Sequence, residues 1–455
     1  MSEMLKLITE GRTTELKAKR LVHFHRMKII ESYSEADDVC YLFFYQNRFT
    51  AAVRGDFAKN SYLENAMQKG IQFEPAHPLM AMFLKSQPKT LQDKPLKQLM
   101  KSLMQKYPPH EAILILSFLD SYLPKDTIIE MMKTFYFDFR RNGKLKHAFE
   151  ILSSMLEFDP ENEWTLDMAN HIDYIKYSSK PGRASFQEDI AAFHQKNRYE
   201  SYLELRTILS NDTSSVDLLS IDIDHLRSMK HPADEQCKQI VKNLSQAFRE
   251  HELIDVLKDL VDHTPDNKPL KQQLISLYLR LEKYELAVDA WLEDPCEHLK
   301  DQIFSLFQNQ SLNIDELNLD KLQSCLGSMA DQAGFDSLLD QTMPHLLHKW
   351  ELTEVHDWLQ PLYAKHSTNP SLLKIKQMQE IMDDPDKQLE LGELYHDLQL
   401  HQKAIDCFNW EMELNPDDPE PVKKLVKIYS ELGKKEESKS YMYIYNNLLK
   451  GSSIS

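Results

Sequence analysis

The chain has 455 residues, a formal net charge of −17, 42% hydrophobic and 10% aromatic residues, and only 10 glycines and five cysteines. That is ample core material but too much chain for one core, so about three domain-sized units or one extended array is expected. All glycines are isolated, which excludes the clustered-glycine loops whose amides close on phosphates. No run of about 18 apolar residues encodes a bilayer span. The cysteines are odd in number, widely spaced and without a CxxC pair, as in a reduced cytoplasm.

Charge is unevenly divided. Residues 1–150 hold 23 Lys and Arg against 17 Asp and Glu, whereas residues 151–455 hold 31 against 54. Two functional surfaces are expected, the acidic one repelling nucleic acid and anionic membrane. The first ten residues carry Glu3, Lys6 and Glu10 and never open into the apolar run of a secretory signal.

Residues 1–110 are read as a divergent helical lobe. Within them KAKRLVHFHRMK (17–28) places Lys17, Lys19, Arg20, Arg26 and Lys28 around Phe24. Nucleic-acid grooves need a longer basic stripe with stacking aromatics, so contact with protein, or with the acidic remainder of the same chain, is expected instead. His23, His25, Asp37, Asp38 and Cys40 are metal-ligand types. On a helix, however, positions i and i+2 do not share a face, and no second close pair completes a tetrahedral set, so no metal is expected. The run Tyr41, Phe43, Phe44, Tyr45 and Phe49 predicts a buried helix or strand. The alternative is that 1–110 holds an unrecognised catalytic or docking domain.

Residues 111–180 are expected to be helical, with one helical hairpin at 129–162, and SSKPGRAS (178–185) reads as a hinge. Residues 185–382 predict degenerate helical repeats, clearest at 234–301, broken at DPCEH (294–298) and NPS (369–371). Asp222, Asp224 and His225 lie in SIDIDHL without a partner nucleophile or Gly-rich elbow, so no catalytic set is expected there. In 385–418, Leu389, Leu391, Leu394 and Leu398 and then Ala404, Ile405, Phe408 and Met412 recur at helical spacing about a turn near Gln399–His401. Residues 419–452 repeat that plan, with Gly433 at the turn.

The spacing carries the inference. Tyr395, Ala404, Phe408 and Pro416 are followed 34 residues later by Tyr429, Ser438 and Met442, and 129–162 keeps Phe139, Gly143, Ala148, Leu152 and Pro160 in the same phase. A third copy at 268–301 keeps Leu274, Tyr278, Ala287 and Trp291. A 34-residue period is what stacked helical hairpins require, because one hairpin cannot bury its own apolar face. With Leu391 and Gly392 added, these residues resemble the tetratricopeptide repeat (TPR). The resemblance implies an all-α fold: an α-solenoid of TPR-like hairpins behind the helical amino-terminal lobe, ending in two repeats over 385–452.

The resemblance also implies that first helices line a concave groove. In 129–162 that helix offers Lys133, Phe137, Arg140 and Arg141, a cationic wall with one apolar contact for an acidic peptide. In the last two copies the equivalents are Glu393, Asp397, Lys423 and Lys427, whose mixed signs imply a different ligand or none. The two-carboxylate clamp of chaperone-binding repeats is not reproduced. The functional expectation is a cytoplasmic, non-enzymatic scaffold or adaptor for a peptide or protein, with no cofactor, no metal, no nucleic acid and no membrane insertion. The second is a bacterial signalling regulator whose repeats sense a peptide and whose amino-terminal helical lobe acts on a client.

Overall fold

The computed structural model describes residues 4–174, 177, 192–210, 215–229, 234–308, 312–313 and 316–451. The expected hinge at 178–185 lies outside the described residues.

The amino-terminal lobe is not helical. Seven strands, β1 (Met4–Thr9), β2 (Arg12–Phe24), β3 (Met27–Ser34), β4 (Val39–Tyr45), β5 (Arg48–Arg54), β6 (Ile71–Phe73) and β7 (Thr90–Gln92), form one sheet in the order β5-β4-β3-β2-β1-β7, with β6 also paired to β2. All pairings are antiparallel except β1 with β7. Local chemistry explains the hairpins: Glu10–Gly11 and Gln46–Asn47 both take positive φ, as the two-residue turns that match strand twist require. The long β2 is offset by a bulge between Ala18 and Arg20, pairing with β1 before it and with β6 after it. Asp93, directly after edge strand β7, links it to the opposite edge of this nearly closed sheet: its N–H donates to Ile8 O on neighbouring β1 and its carboxylate accepts from Ala52 N–H on edge strand β5. KAKRLVHFHRMK is therefore a strand, turn and strand, and the aromatic run is β4, with Phe43, Phe44 and Tyr45 fully buried. The helical unit that a signalling regulator of the expected plan would carry is absent from residues 4–54.

Helices α1 (Tyr62–Lys69) and α2 (Pro78–Ser86) pack on the sheet lobe, followed by α3 (Leu96–Lys106), α4 (Pro109–Ser117), α5 (Lys125–Arg141), α6 (Leu145–Phe158) and α7 (Glu163–Ala169). After them come α8 (Tyr199–Ser210), α9 (Ser215–Ser228), α10 (Asp234–Ala247), α11 (Glu250–His263) and α12 (Lys268–Arg280). The chain divides into two compact units, Met1–Gln273 and Leu274–Ser455. In the first, α9 touches both α2 and β6, and α11 touches α2.

The second unit is helical: α13 (Tyr284–Glu293), α14 (Glu297–Gln308), α15 (Leu319–Ser328), α16 (Gln332–Lys349), α17 (Leu352–Tyr363), α18 (Pro370–Ile381), α19 (Gln388–Asp397), α20 (His401–Leu414), α21 (Pro419–Glu431) and α22 (Lys435–Gly451). Contacts run α13 to α15 to α17 and α14 to α16 to α18, the two layers of stacked hairpins. Small residues let the helices close. Ala148, Ala287 and Ala404 have no exposed surface, and a Cβ on Gly392 of α19 would lie 2.6 Å from Phe408 Cε1 of α20.

Candidate functional site

The face of α5 is set by its apolar stripe. Ile128, Ile129, Met132 and Tyr136 turn inward, leaving Lys133, Phe137, Arg140 and Arg141 on other faces of the helix. Phe137 is 40% exposed although aromatic. Its ring centroid lies 5.8 Å from that of Trp164 on α7, and the Lys133 ammonium lies 5.2 Å from the Trp164 centroid. The structure thus adds Trp164, which the repeat pattern missed because it lies just beyond the 129–162 copy, on the next helix.

The cations of this face have local partners. Lys133 donates to Glu130 at 2.8 Å, Arg141 to Asp138 at 3.5 Å, and Arg140 to Asp173 at 3.3 Å and to the Tyr136 hydroxyl at 2.9 Å. Such exposed pairs are worth at most about 1 kcal/mol each, so a carboxylate ligand can replace them at small cost. The durable feature is the aromatic pair. Its carboxy-terminal counterparts lie in the other compact unit. There Glu393 pairs with Lys424 and Asp397 with Lys374, across helices, while Lys423 pairs with Glu420 and Lys427 with Glu431 within α21.

The amino-terminal histidines belong to a buried cluster. His23 on β2 and Lys28 on β3 face Asp217 and Ser220 on α9. His23 Nδ1 lies 2.8 Å from Ser220 Oγ, while His23 Nε2 is 2.8 Å from His25 O and 3.1 Å from Asp217 Oδ1. Lys28 Nζ pairs with the same carboxylate oxygen. A single tautomer suits these contacts: Nε2–H donates to the carbonyl and Nδ1 accepts from the serine hydroxyl. Burial pushes His23 down to about 4 and His25 to about 3, so both rings are neutral at pH 7. The same desolvation lowers the Lys28 ammonium, opposed by Asp217.

The sequence of contacts Ser220, His23, Asp217 mimics a nucleophile, base and acid. None of the four residues exceeds 5% exposure, so an acyl group has no room beside Ser220, and the cluster joins α9 to the sheet. His23 pairs with Lys28, and Cys40 with Ser32, four residues further along β3, so the Asp37–Cys40 turn is remote from the histidine. In SIDIDHL, Asp222 accepts from Tyr202 and Arg206, Asp224 pairs with Lys196, and the His225 ring stacks on Tyr202 with centroids 3.9 Å apart. These contacts dock α8 on α9 and converge on no nucleophile.

No family model matches the chain, and no curated protein does. Among solved structures it is similar to that of Naa15/Naa10 bound to HypK-THB, with 11% identity and a TM-score of 0.17 over 77% of this chain and 60% of that one. It is also similar to the APC/C hetero-tetramer Cut9-Hcn1, with 14% identity and a TM-score of 0.16 over 77% of this chain and 82% of that one. The chain thus spans about 60% of the length of the first. Likenesses that loose bear on neither partners nor mechanism. No helix among the described residues is long and apolar enough to cross a membrane.

Proposed function

We propose that the chain is a non-catalytic helical-repeat scaffold that holds a peptide or protein segment on the α5–α7 face. The observation that carries this reading is the half-open aromatic pair Phe137 and Trp164 with Lys133 over the indole. Pre-ordered helices lose little entropy on binding, and aromatic anchors beside a cation suit a segment that pairs an apolar side chain with a carboxylate. Arg140 and Arg141 supply a second charge contact once released from Asp173 and Asp138.

The test is capture of partners by full-length protein, comparing wild type with Phe137→Ala/Trp164→Ala and with Lys133→Ala/Arg140→Ala/Arg141→Ala. The aromatic variant is expected to weaken the partner by tenfold or more, since anchors of this kind contribute about 2 kcal/mol or more. The triple cationic variant is expected to lose less and to remove the salt dependence. Recovery of every partner at wild-type strength by the aromatic variant, with helicity unchanged, refutes the assignment.

A further inference from the structure

A second cluster lies where three helix ends meet in the carboxy-terminal unit. His396 is the penultimate residue of α19, His401 the first of α20 and Glu431 the last of α21. His396 Nε2 is 2.7 Å from Glu431 Oε2, the two imidazole centroids are 5.8 Å apart, and one ligand-type atom from each residue lies within 4.8 Å of the other two.

The backbone beneath these side chains is pinned. Gln399 adopts a φ of 60°, and the turn closes with Gln399 N–H donating to His396 O and Leu400 N–H to Tyr395 O. The next turn repeats this with Gly433 at a φ of 71° and Lys434 N–H donating to Tyr429 O. An ordinary hydrogen bond accounts for His396 with Glu431. It does not account for His401, whose Nδ1 is buried with no hydrogen-bond partner, a condition that native packing avoids.

We propose that His396, His401 and Glu431 form a binding site for a divalent transition metal, with zinc the ion that two imidazoles and one carboxylate suit best. Donors around tetrahedral zinc lie about 3.4 Å apart, given bonds of roughly 2.0–2.2 Å, a spacing between the 2.7 Å from His396 to Glu431 and the 4.8 Å that bounds the cluster. Lys427 sits 3.8 Å from the other carboxylate oxygen, Oε1, which leaves Oε2 to face the imidazoles. Both His396 and Glu431 keep some exposure, so water can complete the coordination. The ion would tie α19, α20 and α21 together, fixing one hairpin against the next. This inference does not depend on the α5–α7 surface.

Full-length protein stripped with a chelator and then freed of it is titrated with zinc chloride by calorimetry, and with cobalt(II) chloride by visible absorption. One tight equivalent is expected, with the intense d–d bands of tetrahedral cobalt. At zinc about 100-fold above its Kd, the thermal midpoint of the unit should rise by roughly 5–10 °C. His401→Gln and Glu431→Gln should each weaken zinc at least tenfold and abolish the midpoint shift, while far-UV circular dichroism without metal stays as in wild type. Equal zinc affinity in wild type and both variants places the ion elsewhere and overturns the proposal. So does octahedral cobalt absorption, or the absence of zinc binding up to 100-fold molar excess.

Discussion

Replacing Lys28 with Met removes the ammonium from a carboxylate side chain that is only 7% exposed. Asp217 then loses the counter-charge of Lys28, and His23 supplies none, its ring pushed down to about 4 by burial. Deleting one member of a buried pair costs about 3–5 kcal/mol. An independent bound comes from letting Asp217 take up a proton: raising a carboxyl from its ordinary value near 3.9 to above 7 costs about 4 kcal/mol at pH 7. The two routes agree, so a loss of about 4 kcal/mol is expected. Because a protonated Asp217 limits that loss, the difference from wild type should shrink by about 1.4 kcal/mol per pH unit on acidification. Lys28→Met/Asp217→Leu, which removes both charges, should recover most of it. Amide hydrogen exchange at β3 and α9 is the assay, because a chain of two compact units has no single unfolding free energy. A Lys28→Met variant within about 1 kcal/mol of wild type, or a double variant no better than the single, refutes the reasoning.

Acid should destabilise the sheet lobe through His23. Its folded pKa of about 4 lies below the ordinary 6.5, so between those values the unfolded chain binds a proton that the folded one does not. Stability is therefore lost as pH falls from 6.5 towards 4, by up to about 3 kcal/mol from this residue; exchange protection of β2 that stays flat from pH 6.5 to 4.5 rules that out. Gly392→Ala should cost about 1–3 kcal/mol by overpacking, because the new methyl meets the Phe408 ring. Phe408→Leu in the same chain should relieve it, and a thermal melt in which Gly392→Ala alone matches wild type would show that the helices have room to part.

The hairpins were legible because a stacked pair leaves a fixed code. Tyr395 and Ala404, nine residues apart, are both buried, and Gln399, standing where the pattern has Gly, does take the positive φ that the turn needs. The sheet was less legible although its signals were present. Leu16 and Ala18 alternate with Lys17 and Lys19, but the bulge between Ala18 and Arg20 breaks the period just where the basic run suggests a helix face. In β3 and β4 both faces are covered, so Ile29–Ile30 and Leu42–Tyr45 read as continuous apolar runs, which do not distinguish helix from strand. The hairpin pattern singles out the α5 residues but not Trp164, because its neighbour Phe137 lies 27 residues earlier.

Polar contacts carry the repeat further than the apolar code does. Lys125 reaches Asp159, Arg140 reaches Asp173, Arg227 reaches Asp259, Lys300 reaches Asp331 and His396 reaches Glu431, at separations of 34, 33, 32, 31 and 35 residues. Each joins a basic residue to an acid about one period later, as expected when equivalent positions of successive hairpins sit side by side. Two of the five, Arg227–Asp259 and Lys300–Asp331, fall where small and aromatic positions are too degenerate to align. Their burial ranges from the largely covered, doubly hydrogen-bonded Arg227–Asp259 to the more exposed Lys125–Asp159, so what the five share is the spacing. The same geometry explains why the His396, His401 and Glu431 cluster was not read from sequence. Its histidines are five residues apart across a turn, not four along a helix, and its carboxylate comes from the next repeat; only a search at intervals of 30 to 35 residues would bring the three together.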